Sequence, residues 1–129
     1  MVSRRNFLAF ISSVVPLSLI AKNSSAATKT LLCASTDVPM NKSVVFQGED
    51  PSGNPTEVGI TRTKKGLFAF NAICTHAGCG TEPQGKNFLC PCHNSLFDGS
   101  TGKRLKGPAR RPLLKYKVVE EKGNIYIFN

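Results

Sequence analysis

Two short cysteine–histidine clusters near the middle of the chain constrain its fold more than any other feature. The first cluster is CTH at residues 74–76, and the second is CPCH at residues 90–93. Each contains a thiol and an imidazole, and the 13 residues 77–89 separate them. Two loops of this kind can close over one metal centre from opposite sides. The chain must therefore fold so that these two clusters meet.

The distribution of ligands between the clusters bears on the kind of metal. Cysteine sulfur together with histidine nitrogen suits zinc, copper or iron–sulfur chemistry. Structural zinc sites usually keep like ligands together, as a C-x2-4-C pair and an H-x3-5-H pair. Here each cluster mixes the two ligand types, which favours a [2Fe–2S] cluster with two cysteines on one iron and two histidines on the other. A structural zinc site and a purely disulfide-bonded domain are the alternatives.

At these residues the chain resembles the Rieske iron–sulfur proteins. The matching motifs are C-T-H-x-G-C at residues 74–79 and C-P-C-H-x-S at residues 90–95, followed by Gly-Pro-Ala at residues 107–109. The resemblance covers roughly residues 40–129. It implies an all-β fold, a Rieske-type antiparallel β-sandwich with a small cluster-binding subdomain of two loops. It also implies one [2Fe–2S] cluster as the cofactor.

The resemblance assigns the metal ligands and a crosslink to particular residues. It implies that one iron is bound by two thiolates, the other by two imidazoles, and that a disulfide joins the two loops. The implied iron ligands are Cys74, His76, Cys90 and His93, and the implied disulfide pairs Cys79 with Cys92.

The resemblance also identifies residues around the cluster. Ser95 stands where the family's serine donates a hydrogen bond to a bridging sulfide. Phe97 stands where high-potential members have a tyrosine whose hydroxyl bonds a ligand cysteine, so we expect a lower reduction potential than theirs but one above ferredoxins. Gly107 and Pro108 belong to a loop that covers a third side of the cluster. Arg110 follows where quinol-oxidising members often have a second proline.

The N-terminal 27 residues are predicted to be a targeting segment, followed by one domain over residues 28–129. Arg4 and Arg5 precede an apolar run over residues 7–21, which resembles a twin-arginine export signal with an apolar helix. Small residues before Thr28 favour cleavage there. The alternative is a retained anchor that contacts the membrane through residues 6–21. We therefore expect export by the twin-arginine route, to the periplasm or the outer face of the cytoplasmic membrane.

The remaining part of the chain is predicted to contain strands and no helix, because its apolar residues show no helical period. The predicted strands cover residues 30–35, 43–47, 56–62, 67–73, 87–89, 113–119 and 125–128. Cys33 is the one cysteine outside the motifs, and its place in the first strand predicts a small buried hydrophobic residue. The disulfide implied by the resemblance would require an oxidising compartment.

The chain is basic, with a formal net charge of +9. Many of its positive charges fall between residues 103 and 117. They predict either a solvated basic face or a surface that docks on an acidic partner, such as a cytochrome, or on an anionic membrane. The basic stretches are not interleaved with aromatic residues, which argues against nucleic acid as a partner.

These observations predict a one-electron carrier, an electron-transfer subunit rather than a stand-alone enzyme. The leading hypothesis is the iron–sulfur subunit of, or a carrier in, a respiratory quinol–cytochrome chain, with cytochrome b- or c-type partners. In quinol-oxidising relatives the second-loop histidine meets the quinol, a role that would fall to His93. One alternative is the small subunit beside a molybdopterin subunit in an enzyme such as arsenite oxidase. Others are an oxygenase ferredoxin and a zinc-stabilised binding module.

Overall fold

The computed structural model describes residues 28–129, so the targeting helix expected over residues 1–27 lies outside the described residues. This part of the chain has ten strands and one short 3-10 helix, Ser35–Asp37. It contains no helix that is long and apolar enough to cross a membrane. The strands are β1 (Thr30–Ala34), β2 (Lys42–Glu49), β3 (Pro55–Thr63), β4 (Gly66–Asn71), β5 (Glu82–Gln84), β6 (Asn87–Leu89), β7 (Leu96–Asp98), β8 (Arg104–Lys106), β9 (Lys115–Glu121) and β10 (Asn124–Phe128). The predicted all-β class is confirmed.

Six strands form one antiparallel sheet in the order β1-β10-β9-β4-β3-β2. Only two residue pairs, Ala69–Tyr116 and Phe70–Lys115, join β4 to β9. Buried side chains from β3 and β4 pack into one apolar group with side chains from β9 and β10, so the two halves of the sheet face each other. The members of this group are Val38, Val58, Ile60, Ala69, Tyr116, Ile125 and Ile127. This arrangement is the antiparallel β-sandwich that the resemblance implies.

The other four strands form a small sheet in the order β5-β6-β7-β8. Phe88 of this sheet lies directly over Gly59 in β3, where a β-carbon would come within 2.6 Å of the Phe88 ring. The Phe88 ring also meets Phe70 of β4 edge to face, with ring centroids 6.2 Å apart. β3 is therefore buried on both faces, and the missing side chain at Gly59 allows the small sheet to approach closely.

Some strand boundaries differ from the predicted ones. β4 ends at Asn71 rather than at residue 73, because the Asn71 side-chain Oδ1 accepts a hydrogen bond from the Ile73 N–H and turns the chain. β9 begins at Lys115 rather than at residue 113, because the Leu113 N–H donates instead to the Gly102 carbonyl. The sequence prediction missed β5, β7 and β8, three-residue strands that, unlike the equally short β6, do not lead directly into a cysteine–histidine cluster.

Cys33 lies at an irregular point of the β1–β10 ladder, and its side chain is half-buried against the sandwich core rather than fully buried as predicted. Burial and, to a smaller extent, the charge of Asp37 raise the pKa of its thiol to about 11, while Arg62 acts in the opposite direction. The thiol is therefore protonated at neutral pH.

We expect Cys33 to react slowly with iodoacetamide, because the thiolate is the nucleophile. At pH 8 a pKa of about 11 leaves a thiolate fraction on the order of 10⁻³, against about one quarter for a free cysteine. Mass spectrometry of the labelled peptide should show modification at least a hundredfold slower in the folded protein than in denaturant. Equal rates in both states would contradict the prediction.

Candidate metal centre

Two loops with matching backbone geometry present the cysteines and histidines of the motifs. In the first ligand loop, residues 74–79, the Cys74 N–H donates to the Cys79 carbonyl (2.7 Å), and the Gly78 N–H donates to the Cys74 carbonyl (3.1 Å). In the second ligand loop, residues 90–95, the same two bonds run from Cys90 to Ser95 (2.7 Å) and from Asn94 to Cys90 (2.9 Å). The chain thus uses one turn twice, each time with a cysteine at its first position.

The fifth residue of each loop has a left-handed backbone. Gly78 has φ 74° and Asn94 has φ 60°, a conformation that glycine and asparagine adopt at the least cost. Since strand β4 leads into the first loop and β6 directly precedes the second, both loops emerge at the same end of the molecule. The sandwich therefore brings the two sequence clusters together.

The cysteines and histidines of the motifs differ sharply in exposure. The Cys74 and Cys90 side chains are 3% and 1% exposed, whereas His76 and His93 are both exposed. The two imidazole rings lie nearly perpendicular, with centroids 4.9 Å apart. The structure therefore places two thiols in the interior and two imidazoles side by side at the surface.

Burial raises the pKa of the Cys74 thiol, the His76 backbone N–H acts in the opposite direction, and the neighbouring Cys90 thiol adds to the increase. Metal binding requires the thiolate, so a metal held by Cys74 would have to displace the thiol proton from this buried position. A divalent or trivalent metal centre supplies the positive charge that makes this favourable. The donor set of two buried thiols and two exposed imidazoles fits a [2Fe–2S] cluster of mixed ligation.

The Cys79 and Cys92 sulfur atoms lie beside the buried Cys90 thiol. The sulfur atoms of Cys79, Cys90 and Cys92 lie within 4.8 Å of one another. Cys79 and Cys92 are joined to each other in a disulfide, with Cα atoms 6.5 Å apart. Disulfide sulfurs are not thiolates, so these three atoms do not form a ligand set. They instead show that the crosslink between the loops runs directly past a buried thiol.

A third loop covers the remaining side of the site. We call residues 107–112 the proline loop. The Ser95 hydroxyl of the second ligand loop accepts a hydrogen bond from the Ala109 N–H (3.0 Å). The Thr75 hydroxyl of the first ligand loop donates to the Arg111 carbonyl (2.7 Å). Together with the disulfide, these two bonds connect all three loops pairwise. Pro108 lies exposed next to His76, as part of the wall of a small cavity.

Gly107 and Ser95 are in direct contact within this arrangement. Gly107 has φ 95°, and a β-carbon there would collide with the Ser95 Cα and lie 2.8 Å from its Oγ. Ser95 is fully buried, and its hydroxyl hydrogen is free to donate while its oxygen accepts from Ala109. The position of Ser95 is compatible with the sulfide-donor role that the resemblance implies. The Thr75–Arg111 bond was not predicted, because nothing in the sequence links the two residues.

Phe97 is fully buried and belongs to the same apolar group as Cys74 and Cys90. We expect Phe97→Tyr to raise the reduction potential of the cluster, because a phenol hydroxyl that donates to a ligand thiolate stabilises the more negative, reduced form. A hydrogen bond worth about 1 kcal/mol more in that form corresponds to a shift on the order of 50 mV. A redox titration followed by EPR measures the shift.

The half-buried Phe68 packs against the same apolar group and provides the control variant, Phe68→Tyr. This variant adds the same hydroxyl, but Phe68 lies on the side of the apolar group that faces the protein surface, where Lys115 lies over its ring. An unchanged potential in Phe97→Tyr with an intact EPR signal would show that the hydroxyl does not reach a ligand.

Comparisons with known sequences agree with this geometry. The family model described as the Rieske [2Fe-2S] domain matches residues 28–117. The cytochrome b6-f complex iron-sulfur subunit of Synechococcus sp. (strain CC9605) is 45% identical over 64 residues, which cover 48% of this chain and 35% of that subunit. The cytochrome bc1 complex Rieske iron-sulfur subunit of Corynebacterium diphtheriae is 46% identical over 61 residues, 43% of this chain and 15% of that subunit. The matched segment thus spans about a third or less of the length of these relatives.

Solved structures share the fold. The cyanobacterial plasma membrane Rieske protein of Synechocystis PCC 6803 is 34% identical, with a TM-score of 0.56 over 66% of this chain and 86% of that chain. The ferredoxin of Sphingomonas yanoikuyae B1 has a TM-score of 0.63 and 24% identity, over 79% of this chain and 99% of that chain. The second likeness shows the fold alone.

A small β-sandwich that presents two cysteine–histidine loops defines the class of iron–sulfur domains. Because the family model matches most of its length, the chain belongs to the Rieske [2Fe–2S] domain family. The cofactor of this domain is one [2Fe–2S] cluster. The assignment of the individual ligands, Cys74, His76, Cys90 and His93, stays a prediction with which this geometry is compatible.

Proposed function

We propose that the chain is exported and carries single electrons from a quinol-oxidising cytochrome complex to a c-type cytochrome. The observation that carries this proposal is the disulfide between the two ligand loops, Cys79–Cys92, beside the exposed imidazoles of His76 and His93. A disulfide requires an oxidising compartment, which fits an exported protein. Support also comes from the relatives, which are iron–sulfur subunits of cytochrome b6-f and bc1 complexes.

The loop geometry suits rapid electron transfer. When bound, the cluster supplies a centre that gains or loses one electron at a potential above that of plant-type ferredoxins. The buried Cys74 and Cys90 keep water from one side of the site, and the crosslink restrains the two ligand loops relative to each other. The exposed imidazoles provide the contact with a partner, and we assign the quinol contact to His93.

The potential of the cluster tests this role. We expect a redox titration of the purified holoprotein, followed by EPR, to give a midpoint above about +100 mV, in the upper part of the family's range. A midpoint below about −100 mV would overturn the quinol-linked role. Such a low midpoint would assign the chain to ferredoxin-type electron transfer instead. The absence of a hydroxyl at Phe97 would be one cause of the low value.

Export is proposed on the sequence of residues 1–27, with the disulfide as support, since a disulfide persists in oxidising compartments. The test is the location of the full chain after replacement of Arg4 and Arg5 by lysine. We expect this variant to accumulate in the cytoplasm, whereas Lys22→Gln leaves export unchanged. Equal export of the twin-lysine variant would contradict the twin-arginine route.

A further inference from the structure

The seven basic side chains between residues 103 and 117 are all exposed, and residues 99–119 contain no acidic residue. The basic residues are Lys103, Arg104, Lys106, Arg110, Arg111, Lys115 and Lys117. The ion pairs found within residues 28–129 are Lys29–Glu121 and Arg62–Glu120, and neither includes any of the seven. None of the seven therefore takes part in an ion pair within the described part of the chain, and four of them, Arg110, Arg111, Lys115 and Lys117, line neighbouring depressions.

Three shallow depressions share lining residues, and we call them together the basic groove. Lys115 lines the first and the second, and Thr75 and Arg111 line the second and the third. The first, of about 540 Å³, lies over Phe68 and Phe128 and ends at Lys115. The second, of about 410 Å³, runs from Lys115 past Leu114 to Arg111. The third, of about 370 Å³, is lined by Thr75, His76, Pro108, Arg110 and Arg111. The groove thus leads across the sandwich to an imidazole of the metal centre.

The basic groove also has apolar contact area. Leu114 is 62% exposed in its middle, between Arg111 and Lys115. Phe68 and Phe128 line its far end. Exposed apolar side chains rimmed by charged ones are typical of a protein–protein interface, whereas isolated surface charges only repel or attract at a distance. The groove therefore offers both a steering charge and a contact surface.

We propose that the basic groove is the docking surface for an acidic electron-transfer protein, with the partner's redox centre brought next to His76. The two guanidinium groups of Arg110 and Arg111 match carboxylates in charge and geometry. Charge complementarity of this kind raises the association rate and orients the encounter. The inference rests on the electron-carrier function of the family and is independent of whether the donor is a quinol.

A protein partner fits these observations better than a bilayer does. The cations lie beside an exposed imidazole of the metal centre, through which an electron can leave towards another redox centre, whereas a lipid headgroup accepts none. The apolar residues line shallow depressions, into which side chains of a protein partner can pack.

The test is the rate of electron transfer from the reduced, full-length holoprotein to two c-type cytochromes, one of net negative and one of net positive charge. Stopped-flow traces at increasing salt concentration give the second-order rate constants. We expect the acidic cytochrome to react faster at low salt and to slow as salt is added, because screening removes the attraction. The double variant Arg110→Glu with Arg111→Glu should lower that low-salt rate constant at least tenfold.

The lysines of the β3–β4 turn provide a matched control, Lys64→Glu with Lys65→Glu. Both are exposed, and the double substitution changes the net charge by the same amount. They lie just before the first residue of β4, at the end of the strand opposite to the one that leads into the first ligand loop. We expect this variant to lower the rate constant less than threefold. An equal effect of the two double variants would overturn the proposal, since only the total charge would then matter.

A second pair of variants tests the apolar contact. Leu114→Ser in the groove should lower the rate constant at high salt about threefold, while Leu31→Ser, in edge strand β1 and 58% exposed, should leave it unchanged. EPR spectra of all variants must match that of the parent protein, which shows that the metal centre is intact, and the midpoint potential of each variant is measured so that rate constants are compared at equal driving force.

Two further results would overturn the proposal. One is an equal low-salt rate with the acidic and the basic cytochrome. The other is binding to vesicles of anionic phospholipid that disappears in the Arg110→Glu, Arg111→Glu variant while its cytochrome kinetics stay unchanged, which would assign the groove to a membrane surface. A midpoint potential too low for quinol chemistry would refute the quinol role but leave these rate comparisons valid.

Discussion

Removal of the disulfide, by Cys79→Ala together with Cys92→Ala, should lower the free energy of unfolding by about 3 kcal/mol and accelerate loss of the cluster. The bridge has a sequence separation of 13 and so closes a loop of 14 residues, residues 79–92. In the chain-entropy model a loop of this length is worth about 3 kcal/mol. The bridge is also the covalent link between the two ligand loops, so its loss allows them to separate at their exposed ends.

Denaturant unfolding of the holoprotein, followed by circular dichroism, measures the loss of stability, and the visible absorption of the cluster measures its half-life. Cys33→Ala is the control, because Cys33 is a free cysteine in β1, remote in sequence from both loops. If the double variant kept its cluster as long as the Cys33 variant, the hydrogen bonds to the proline loop would be sufficient to hold the ligand loops.

Gly107→Ala is expected to lower the free energy of unfolding by about 2–4 kcal/mol and to disturb the metal centre. The left-handed backbone at Gly107 alone costs an alanine about 1 kcal/mol. The added β-carbon also collides with the Ser95 backbone, and overpacking of this kind costs about 1–3 kcal/mol. Either Ser95 or the proline loop must move, which breaks the hydrogen bond between Ser95 and Ala109.

Gly123→Ala separates the two contributions. Gly123 also has a left-handed backbone, φ 79°, but a β-carbon there would meet no atom within 4 Å. This variant should therefore show only the backbone cost of about 1 kcal/mol and an unchanged EPR spectrum. Equal losses of stability in the two variants would show that the proline loop moves away from the added β-carbon without a loss of folding free energy.

The two candidate ligand loops were predictable from local sequence. Each is a contiguous segment of six residues, and its motif contains both the predicted metal ligands and the left-handed residue at the fifth position, Gly78 or Asn94. The strand pattern was predictable for the same reason, since the longer strands alternate apolar and polar residues. Strands of three residues show no period. β6 could be predicted because it leads directly into Cys90, whereas β5, β7 and β8 are defined by their pairing with neighbouring strands.

The contacts between loops could not be predicted, because they join residues far apart in the chain. The Thr75–Arg111 bond spans 36 positions and the Ser95–Ala109 bond spans 14. Neither partner carries a signal of its own, since a hydroxyl that meets a backbone group leaves no pattern in the sequence. The same holds for the approach of Phe88 to Gly59, which decides how closely the small sheet lies against the sandwich.

Local sequence was enough to predict the all-β class and a candidate metal centre, because ligand type and turn conformation are properties of neighbouring residues. The packing of three loops, which no local pattern reveals, buries Cys74 and Cys90 and leaves His76 and His93 exposed. Packing also determines which of the basic residues between positions 103 and 117 line the basic groove. These are Arg110, Arg111, Lys115 and Lys117, and the groove is formed by strands and loops that are separate in the sequence.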